Sequence, residues 1–191
     1  MIRAYIGFGS NLGNGREQVL SAWSRLAIPE KVVLHKLSSL YVSEAVGLVS
    51  QSLFTNAVGE VETDLQPLEL LHLLLELEKE HGRQRDVDAA GYQDRTLDLD
   101  LLYFGATLYS SPELILPHPR IVDRLFVLVP LAEIAPDFQD PVTGITVNNM
   151  VQQLMLQIAQ GGMPPQSVLQ VETLPAAVVP LTVGAKPSLN D

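Results

Sequence analysis

The chain has 191 residues, of which 47% are hydrophobic and 18% are charged, and its formal net charge at pH 7 is −10. This length and apolar content predict one domain with its own hydrophobic core and exclude a wholly disordered chain. The absence of cysteine excludes disulfides and cysteine-ligated metal centres, and the acidic balance argues against binding to nucleic acid or an anionic membrane. No apolar run approaches the about 20 residues of a membrane span and no signal peptide is evident, so we expect a cytoplasmic protein.

The N-terminal third predicts a strand, a helix and two further extended segments. We predict a strand over Arg3–Gly9, and a loop rich in glycine and asparagine then leads to an amphipathic helix over Arg16–Leu26. Pro29 ends this helix, and Lys31–Tyr41 is predicted to be extended. The residues of Phe54–Thr63 alternate in character and predict another strand.

The strongest helical periodicity in the chain follows Thr63. Pro67 is suited to the first position of this helix, and Gly82 is suited to the left-handed conformation that commonly follows a helix end. The predicted elements are a helix over Pro67–His81, a polar loop over Arg83–Asp94, a strand over Thr96–Phe104, an apolar helical segment over Ile121–Ala135 with a break near Pro130, and a helix over Asn148–Gln160.

The order strand–helix–strand–strand–helix–strand is that of a split βαβ unit. We therefore predict an α+β fold, with a ferredoxin-like antiparallel sheet and helices packed on both of its faces. The predicted domain covers residues 1–160. Residues 161–191 form a Pro/Gly-rich C-terminal extension that we expect to be partly ordered or disordered, with the composition of a strand at Ser167–Glu172.

Two carboxylates alternate with leucines in the segment that follows the polar loop. Because successive strand residues point to opposite faces, Asp98 and Asp100 share one face, with Cα atoms roughly 7 Å apart. Carboxylates this close repel each other unless a cation lies beside them, and Mg²⁺ prefers hard oxygen ligands. The alternative is an edge strand with one solvated polar face.

The basic residues between Glu80 and Ala185 are all arginine or histidine. Arginine binds carboxylate and phosphate with two parallel hydrogen bonds, so this set points to an anion site. The alternative is that these are unrelated surface arginines, or cations that offset the dipole at a helix end. The arginines of this set are Arg83, Arg85, Arg95, Arg120 and Arg124.

A histidine lies between two prolines in the segment Leu116–Arg120. The flanking prolines restrict the backbone around His118 and would fix the direction of its imidazole, which could then donate to a phosphate oxygen. The alternative is a polar surface residue in a turn.

Neither a P-loop nor the dinucleotide fingerprint is present, so a nucleotide would have to bind in another way.

Several short segments together carry a resemblance to a known family. They are Ala4–Gly13 (AYIGFGSNLG), Phe54–Ala57 (FTNA), Gly82–Arg85 (GRQR), Arg95–Asp100 (RTLDLD) and Leu116–Arg120 (LPHPR). In this order they closely resemble the 6-hydroxymethyl-7,8-dihydropterin pyrophosphokinase family of folate biosynthesis. The resemblance extends over residues 4–138 and does not cover the C-terminal extension.

The resemblance implies an ATP- and magnesium-dependent enzyme that transfers the β,γ-diphosphate of ATP to the hydroxymethyl group of 6-hydroxymethyl-7,8-dihydropterin and releases AMP. It implies that Asp98 and Asp100 bind two Mg²⁺ ions and that they are catalytic together with Arg83 and Arg85. The residues implied to contact ATP are Glu78, Arg83, Arg85, Arg95, His118 and Arg124. The residues implied to contact the pterin are Ser43, Val46, Phe54, Asn56, Tyr92 and Phe126.

Some positions depart from the family pattern. Leu75 replaces a glutamine, Ser43-Glu44 replaces a Thr-Pro pair, and Tyr92 replaces a tryptophan. We expect these replacements to change the affinity for the substrates more than the reaction itself. We expect a monomer whose partners are its two small-molecule substrates. Two alternatives remain open, a non-catalytic ferredoxin-like domain that binds a ligand or regulates, and a magnesium-dependent phosphohydrolase.

Overall fold

The computed structural model describes residues 1–44, 53–82 and 96–171. Within them the strands are β1 (Ile2–Ser10), β2 (Val32–Leu37), β3 (Tyr41–Ser43), β4 (Phe54–Thr63), β5 (Asp98–Phe104), β6 (Tyr109–Ser110), β7 (Ile115–Leu116) and β8 (Val168–Gln170). The helices are α1 (Gly15–Arg25), α2 (Pro67–Glu80), α3 (Leu125–Ile134) and α4 (Val147–Ala159), and Ile121–Asp123 forms one turn of 3₁₀-helix. No helix in these three ranges has both the length and the apolar content needed to cross a membrane.

One antiparallel sheet organises the molecule. Its strands lie in the order β5-β1-β4-β3-β8, and β2 also pairs with β4, while β6 and β7 form a separate hairpin. The long strands β1 and β4 occupy the middle of the sheet and pair along their whole length, from Ile2 with Thr63 to Ser10 with Thr55. The predicted ferredoxin-like sheet is therefore confirmed.

Helices cover both faces of this sheet, as predicted from the element order. On one face, Ile6 and Phe8 of β1 belong to a buried cluster with leucines of α2 and apolar residues of α1. On the other face, Tyr5 of β1 and Val58 of β4 belong to a second cluster with side chains of α3 and α4. Alternation along β1 and β4 thus supplies a core on each side of the sheet.

The ends of α2 follow the rules that predicted them. Pro67 occupies the start of the helix, where its missing N–H costs no hydrogen bond, and Glu69 accepts from the Gln66 backbone N–H at 2.7 Å. Gly82 follows the helix with φ of 82°, a left-handed conformation that glycine adopts without strain.

The predicted break near Pro130 is wrong, because α3 continues through that residue. Proline has no N–H to donate to the carbonyl four residues earlier, which normally disfavours a helix interior. Here Leu128 and Leu131 on either side of Pro130 are fully buried, so tertiary burial outweighs the lost hydrogen bond. The helix also begins later than predicted, because Ile121–Asp123 is a 3₁₀ turn and Arg124 is extended.

The extended segment predicted over Lys31–Tyr41 divides into β2 and β3. The register of β2 against β4 shifts between Leu34 and Lys36, and Ser38 then bonds to Val58 through both its backbone N–H and its hydroxyl. The predicted strand composition in the C-terminal extension corresponds to β8, which pairs with β3 of the main sheet. The domain boundary at residue 160 stays a prediction.

Gly59 of β4 lies where the sheet leaves no room for a side chain. A Cβ atom at Gly59 would lie 2.4 Å from Cζ3 of Trp23 and 3.1 Å from Cε2 of Phe8. We expect Gly59→Ala to lower the free energy of unfolding by about 1–3 kcal/mol, because both rings must move out of a packed layer. Urea unfolding measures this, with Gly7→Ala as the matched control, since a Cβ there meets Leu102 only at 3.5 Å or more. Equal losses in both variants would contradict the steric explanation.

Tyr41 ties β3 to α3 through Glu133. Its hydroxyl donates to Glu133 Oε2 at 2.8 Å, and burial, with the adjacent Glu133 carboxylate, raises the pKa of Tyr41 to about 12. Since the unfolded pKa is about 10, the stabilisation from Tyr41 is complete below pH 10 and is lost as the pH rises toward 12. We expect urea unfolding between pH 9 and 11.5 to show a smaller loss of stability for Tyr41→Phe than for the parent. Parallel curves would refute this link.

Candidate active site

Three strands bring residues of separate segments together at the end of the sheet where β1 ends. Gly9 lies directly opposite Asn56 of β4 on one side and Asp98 of β5 on the other. Directly paired residues point to the same face, so the amide and the carboxylate flank Gly9 with Cα atoms about 10 Å apart, twice the strand spacing. A Cβ at Gly9 would lie 3.7 Å from Asn56 Oδ1 and 3.8 Å from Asp98 Cβ. Glycine therefore leaves the surface between them open.

Asp98 and Asp100 share this face of β5, as their alternation predicted, and both are partly exposed. Asp100 lies beside two positively charged or protonatable side chains. Its Oδ2 is 3.6 Å from Nη1 of Arg124, and its Oδ1 is 3.9 Å from Nε2 of His118. The sequence-distant segments of β5, Leu116–Arg120 and the start of α3 thus meet at one carboxylate.

The two carboxylates suit a divalent cation that takes further ligands from elsewhere. Among the described residues no group of three or more His, Asp or Glu side chains is arranged to hold a metal ion. Mg²⁺ commonly binds through one or two carboxylates and completes its shell with water and substrate phosphate. Asp98 and Asp100 fit this pattern, since they are accessible hard-oxygen donors on one face of a rigid strand.

His118 presents one particular nitrogen to this site. Its backbone N–H donates to Leu102 O of β5 at 2.9 Å, and its Nδ1 accepts from the Arg120 backbone N–H at 3.2 Å. An accepting Nδ1 carries no proton, so the neutral ring carries its proton on Nε2, the atom that faces Asp100. Burial lowers the pKa of His118, while the nearby Asp100 carboxylate opposes this shift. The ring is therefore neutral near pH 7, with an N–H available to an anion.

Glu78 supports β5 from beneath the carboxylates. It is only 2% exposed, and its Oε1 accepts from the Leu99 backbone N–H at 2.8 Å. Leu99 stands between Asp98 and Asp100, so this buried carboxylate of α2 holds the strand at the point between them. The family resemblance implies a contact of Glu78 with ATP. That contact stays a prediction.

Asn56 lies on the other side of Gly9 from Asp98 and is surrounded by polar groups. It is 3% exposed, and its Nδ2 donates to Ser43 Oγ at 3.0 Å and to Phe54 O at 3.3 Å. Ser43 pairs directly with Phe54, so β3 and β4 fix the amide from two sides. With both Nδ2 hydrogens directed into the protein, Oδ1 is the amide atom presented toward Gly9.

Arg124 and Phe126 lie next to each other at the start of α3. The guanidinium carbon of Arg124 lies 5.4 Å from the ring centroid of Phe126, within the range of a cation–π contact. The same arginine faces Asp100, so the start of α3 places a cation and an aromatic ring next to the carboxylates.

The structure brings together most of the described residues that the sequence singled out. On or beside the common face of the sheet lie Ser43, Phe54, Asn56, Asp98, Asp100, His118, Arg124 and Phe126. Outside the described residues lie Val46, Arg83, Arg85, Tyr92 and Arg95. The role of Gly9 was missed, although an isolated glycine in a strand is a signal of close backbone approach.

Comparison with known proteins gives a family match and relatives of similar sequence. A family model described as 7,8-dihydro-6-hydroxymethylpterin-pyrophosphokinase (HPPK) matches residues 5–136. A Pseudomonas aeruginosa protein named 2-amino-4-hydroxy-6-hydroxymethyldihydropteridine pyrophosphokinase is 42% identical over 139 residues, which cover 73% of this chain and 84% of that protein. A Bacillus subtilis protein of the same name is 41% identical over 140 residues, covering 73% and 82%.

Longer proteins also contain a similar region. The folic acid synthesis protein fol1 of Pneumocystis carinii is 40% identical over 151 residues, and this chain spans 20% of its length. A crystal structure of wild-type HPPK-DHPS from Plasmodium falciparum superposes with a TM-score of 0.63 at 12% identity, over 84% of this chain and 46% of that one. At this identity the likeness shows the fold alone.

Proposed function

The chain belongs to the 7,8-dihydro-6-hydroxymethylpterin-pyrophosphokinase family, and we infer that it transfers the β,γ-diphosphate of ATP to the hydroxymethyl group of 6-hydroxymethyl-7,8-dihydropterin in folate biosynthesis. In this reaction the hydroxymethyl oxygen bonds to the β-phosphorus, and the bond from that phosphorus to the α-phosphate oxygen breaks, which releases AMP. Family membership does not favour a non-catalytic domain or a phosphohydrolase.

The observation that carries the site assignment is the row of Asn56, Gly9 and Asp98 across three strands. An amide suited to reading a polar ring edge lies at one end, and a carboxylate suited to a cation lies at the other. Their separation of about 10 Å leaves room for a hydroxymethyl group and a diphosphate between them. The open surface above Gly9 is where the two substrates would meet.

The pterin would bind at the Asn56 end. The Oδ1 atom of Asn56 would accept from an N–H group of the pterin, because its Nδ2 already donates to Ser43 and Phe54. The ring of Phe126, held beside Arg124, offers a face for the pterin ring. Phe54 belongs to the same pocket, and Val46 and Tyr92 complete the proposed set by resemblance.

The triphosphate would bind at the Asp98 and Asp100 end. These carboxylates would hold Mg²⁺, and we propose two ions, which would neutralise charge on the transferred diphosphate when bound. Arg124 would bind phosphate from beside Asp100, and His118 would donate through Nε2. By resemblance, Glu78 also lines the nucleotide site, Arg83, Arg85 and Arg95 supply the remaining phosphate contacts, and Arg83 and Arg85 act in the chemical step.

These residues perform the reaction by position and charge. Diphosphoryl transfer needs the nucleophilic oxygen in line with the leaving group, and it needs the negative charge on the phosphates to be neutralised. β1, β4 and β5 fix the acceptor side and the phosphate side on one sheet, so their spacing is set by backbone hydrogen bonds. Burial of Asn56 keeps water from competing for its amide.

The direct test incubates the full chain with ATP, Mg²⁺ and 6-hydroxymethyl-7,8-dihydropterin and measures nucleotides by chromatography. We expect AMP and the pterin diphosphate in equal amounts, and neither product when the pterin or Mg²⁺ is omitted. Phosphate release without pterin would indicate a phosphohydrolase. Magnesium-dependent ATP binding without any turnover would indicate a non-catalytic domain.

Two expectations about the protein in solution also stay proposals. We propose that the enzyme is monomeric, as the sequence led us to expect. Size-exclusion chromatography with light scattering tests this, and a dimer at micromolar concentration would contradict it. We also propose that it acts in the cytoplasm, as the sequence led us to expect.

A further inference from the structure

The side chain of Gln166 bonds to the backbone on both sides of Arg124. Its Oε1 accepts from the Leu125 N–H at 2.9 Å, and its Nε2 donates to the Asp123 carbonyl at 2.8 Å. Leu125 is the first residue of α3, and its N–H has no acceptor within the helix. The Gln166 amide thus accepts from a free N–H at the start of α3 and holds the residues before and after Arg124, an arginine of the proposed phosphate site.

The backbone at Arg124 needs such support because it is not part of a regular element. Arg124 is extended, with φ of −125° and ψ of 102°, between the 3₁₀ turn and α3. Its own N–H donates to Ile121 O at 3.3 Å, a long hydrogen bond. The direction of its side chain, toward Asp100 and over Phe126, therefore depends on how the flanking peptides are held.

The segment that carries Gln166 is itself anchored to the domain. Met163 and Val168, on either side of it, pack against the apolar cluster under α3 and α4. β8 follows directly and pairs with β3, with Val168 opposite Ser43, and the Val171 N–H donates to Leu40 O at 2.7 Å. This segment lies beyond residues 5–136, which the family model matches.

We propose that Gln166 is a positioning residue, which acts on the reaction by fixing the backbone around Arg124 and hence the direction of its guanidinium. This inference rests on the proposed role of Arg124 in binding the triphosphate. Both hydrogen bonds of the Gln166 side chain go to the backbone of Asp123 and Leu125, so its removal would act through Arg124. The C-terminal extension, which the resemblance does not cover, would thereby contribute to ATP binding.

A double-mutant cycle tests the proposal with the full chain, using kcat/KM for ATP and the thermal midpoint as separate measurements. We expect Gln166→Ala to lower kcat/KM for ATP by about tenfold in the parent, because displacement of a substrate-binding group is costly. In the Arg124→Ala background the same substitution should have little further effect on kcat/KM, while its effect on the thermal midpoint persists. Gln170→Ala, an exposed glutamine of β8, is the matched control and should leave kcat/KM unchanged.

The outcomes separate this inference from the function on which it rests. Parental activity in Arg124→Ala alone would overturn the role of Arg124 and the inference with it. The inference alone would be overturned if Arg124→Ala loses activity but Gln166→Ala has no effect on kcat/KM in the parent. It would also be overturned if Gln166→Ala lowers kcat/KM as much in the Arg124→Ala background as in the parent. If Gln166→Ala does not fold, Gln166→Glu replaces it, since Glu keeps an acceptor for Leu125 and loses the donor for Asp123. That variant should fold, because the Leu125 N–H keeps its acceptor, and still lose kcat/KM, and unchanged kcat/KM would overturn the proposal.

Discussion

Replacement of Asp98 or Asp100 by alanine is expected to lower the rate of diphosphoryl transfer by about 10³-fold or more, because each substitution removes several kcal/mol of charge stabilisation. The two carboxylates share a face of β5, and in the described residues no group of three or more His, Asp or Glu side chains is arranged to hold a metal ion. Neither carboxylate therefore has a substitute. AMP formation in single-turnover reactions at saturating Mg²⁺ measures the effect.

The fold should survive both substitutions. Both side chains are partly exposed, and the ion pair of Asp100 with Arg124 is of the kind that contributes about 1 kcal/mol or less. Asp64→Ala is the matched control, since Asp64 pairs with the N-terminal amine at the opposite end of the sheet. We expect parental turnover from that variant. Near-parental turnover by Asp98→Ala and Asp100→Ala would instead refute the metal assignment.

Replacement of Asn56 by alanine is expected to lower kcat/KM for the pterin by about 100-fold, the effect of losing a buried hydrogen-bonding partner. The loss should appear mainly as a higher KM for the pterin. Binding of ATP should be unchanged, because Asn56 lies at the end of the row away from Asp98. Steady-state kinetics with each substrate varied in turn distinguishes the two effects.

Two further variants define the cause of that loss. Ser43→Ala removes the hydroxyl that accepts from Asn56 Nδ2, so the amide loses one of its two anchors, and we expect a smaller loss of about tenfold. Thr55→Ala is the control, because its side chain points to the opposite face of β4 and should leave the KM for the pterin unchanged. An unchanged KM in Asn56→Ala would exclude Asn56 from pterin recognition.

Much of the fold was predictable because its elements are long and periodic. The strand over Phe54–Thr63 and the helix that begins at Pro67 follow alternation and capping signals that depend on local sequence alone. The hairpin of β6 and β7 was missed, since two-residue strands contain no alternation to detect. The continuity of α3 through Pro130 depends on burial between the sheet and α4, which no local pattern contains.

For the site too, local sequence patterns predicted some features, whereas others depend on contacts between distant parts of the chain. The pairing of Asp98 with Asp100 is a consequence of strand alternation and was predicted from the sequence. The placement of Asn56 and Asp98 on either side of Gly9 depends on the register of two strand pairs, and the hydrogen bonds of Gln166 with Leu125 and Asp123 span 41 residues or more. A glutamine in a Pro/Gly-rich segment carries no signal of such a partner.

The same strand register of β5 determines both which residues enter the core and which residues form the proposed metal site. Leu97, Leu99 and Leu101 are buried beneath the sheet, while Asp98 and Asp100 stand above it. A slip of one residue in the pairing of β5 with β1 would turn the leucines toward the substrates and the carboxylates into the hydrocarbon interior. Burial of the leucines therefore resists such a slip, so the packing that stabilises the fold also keeps both carboxylates on the substrate side of the sheet.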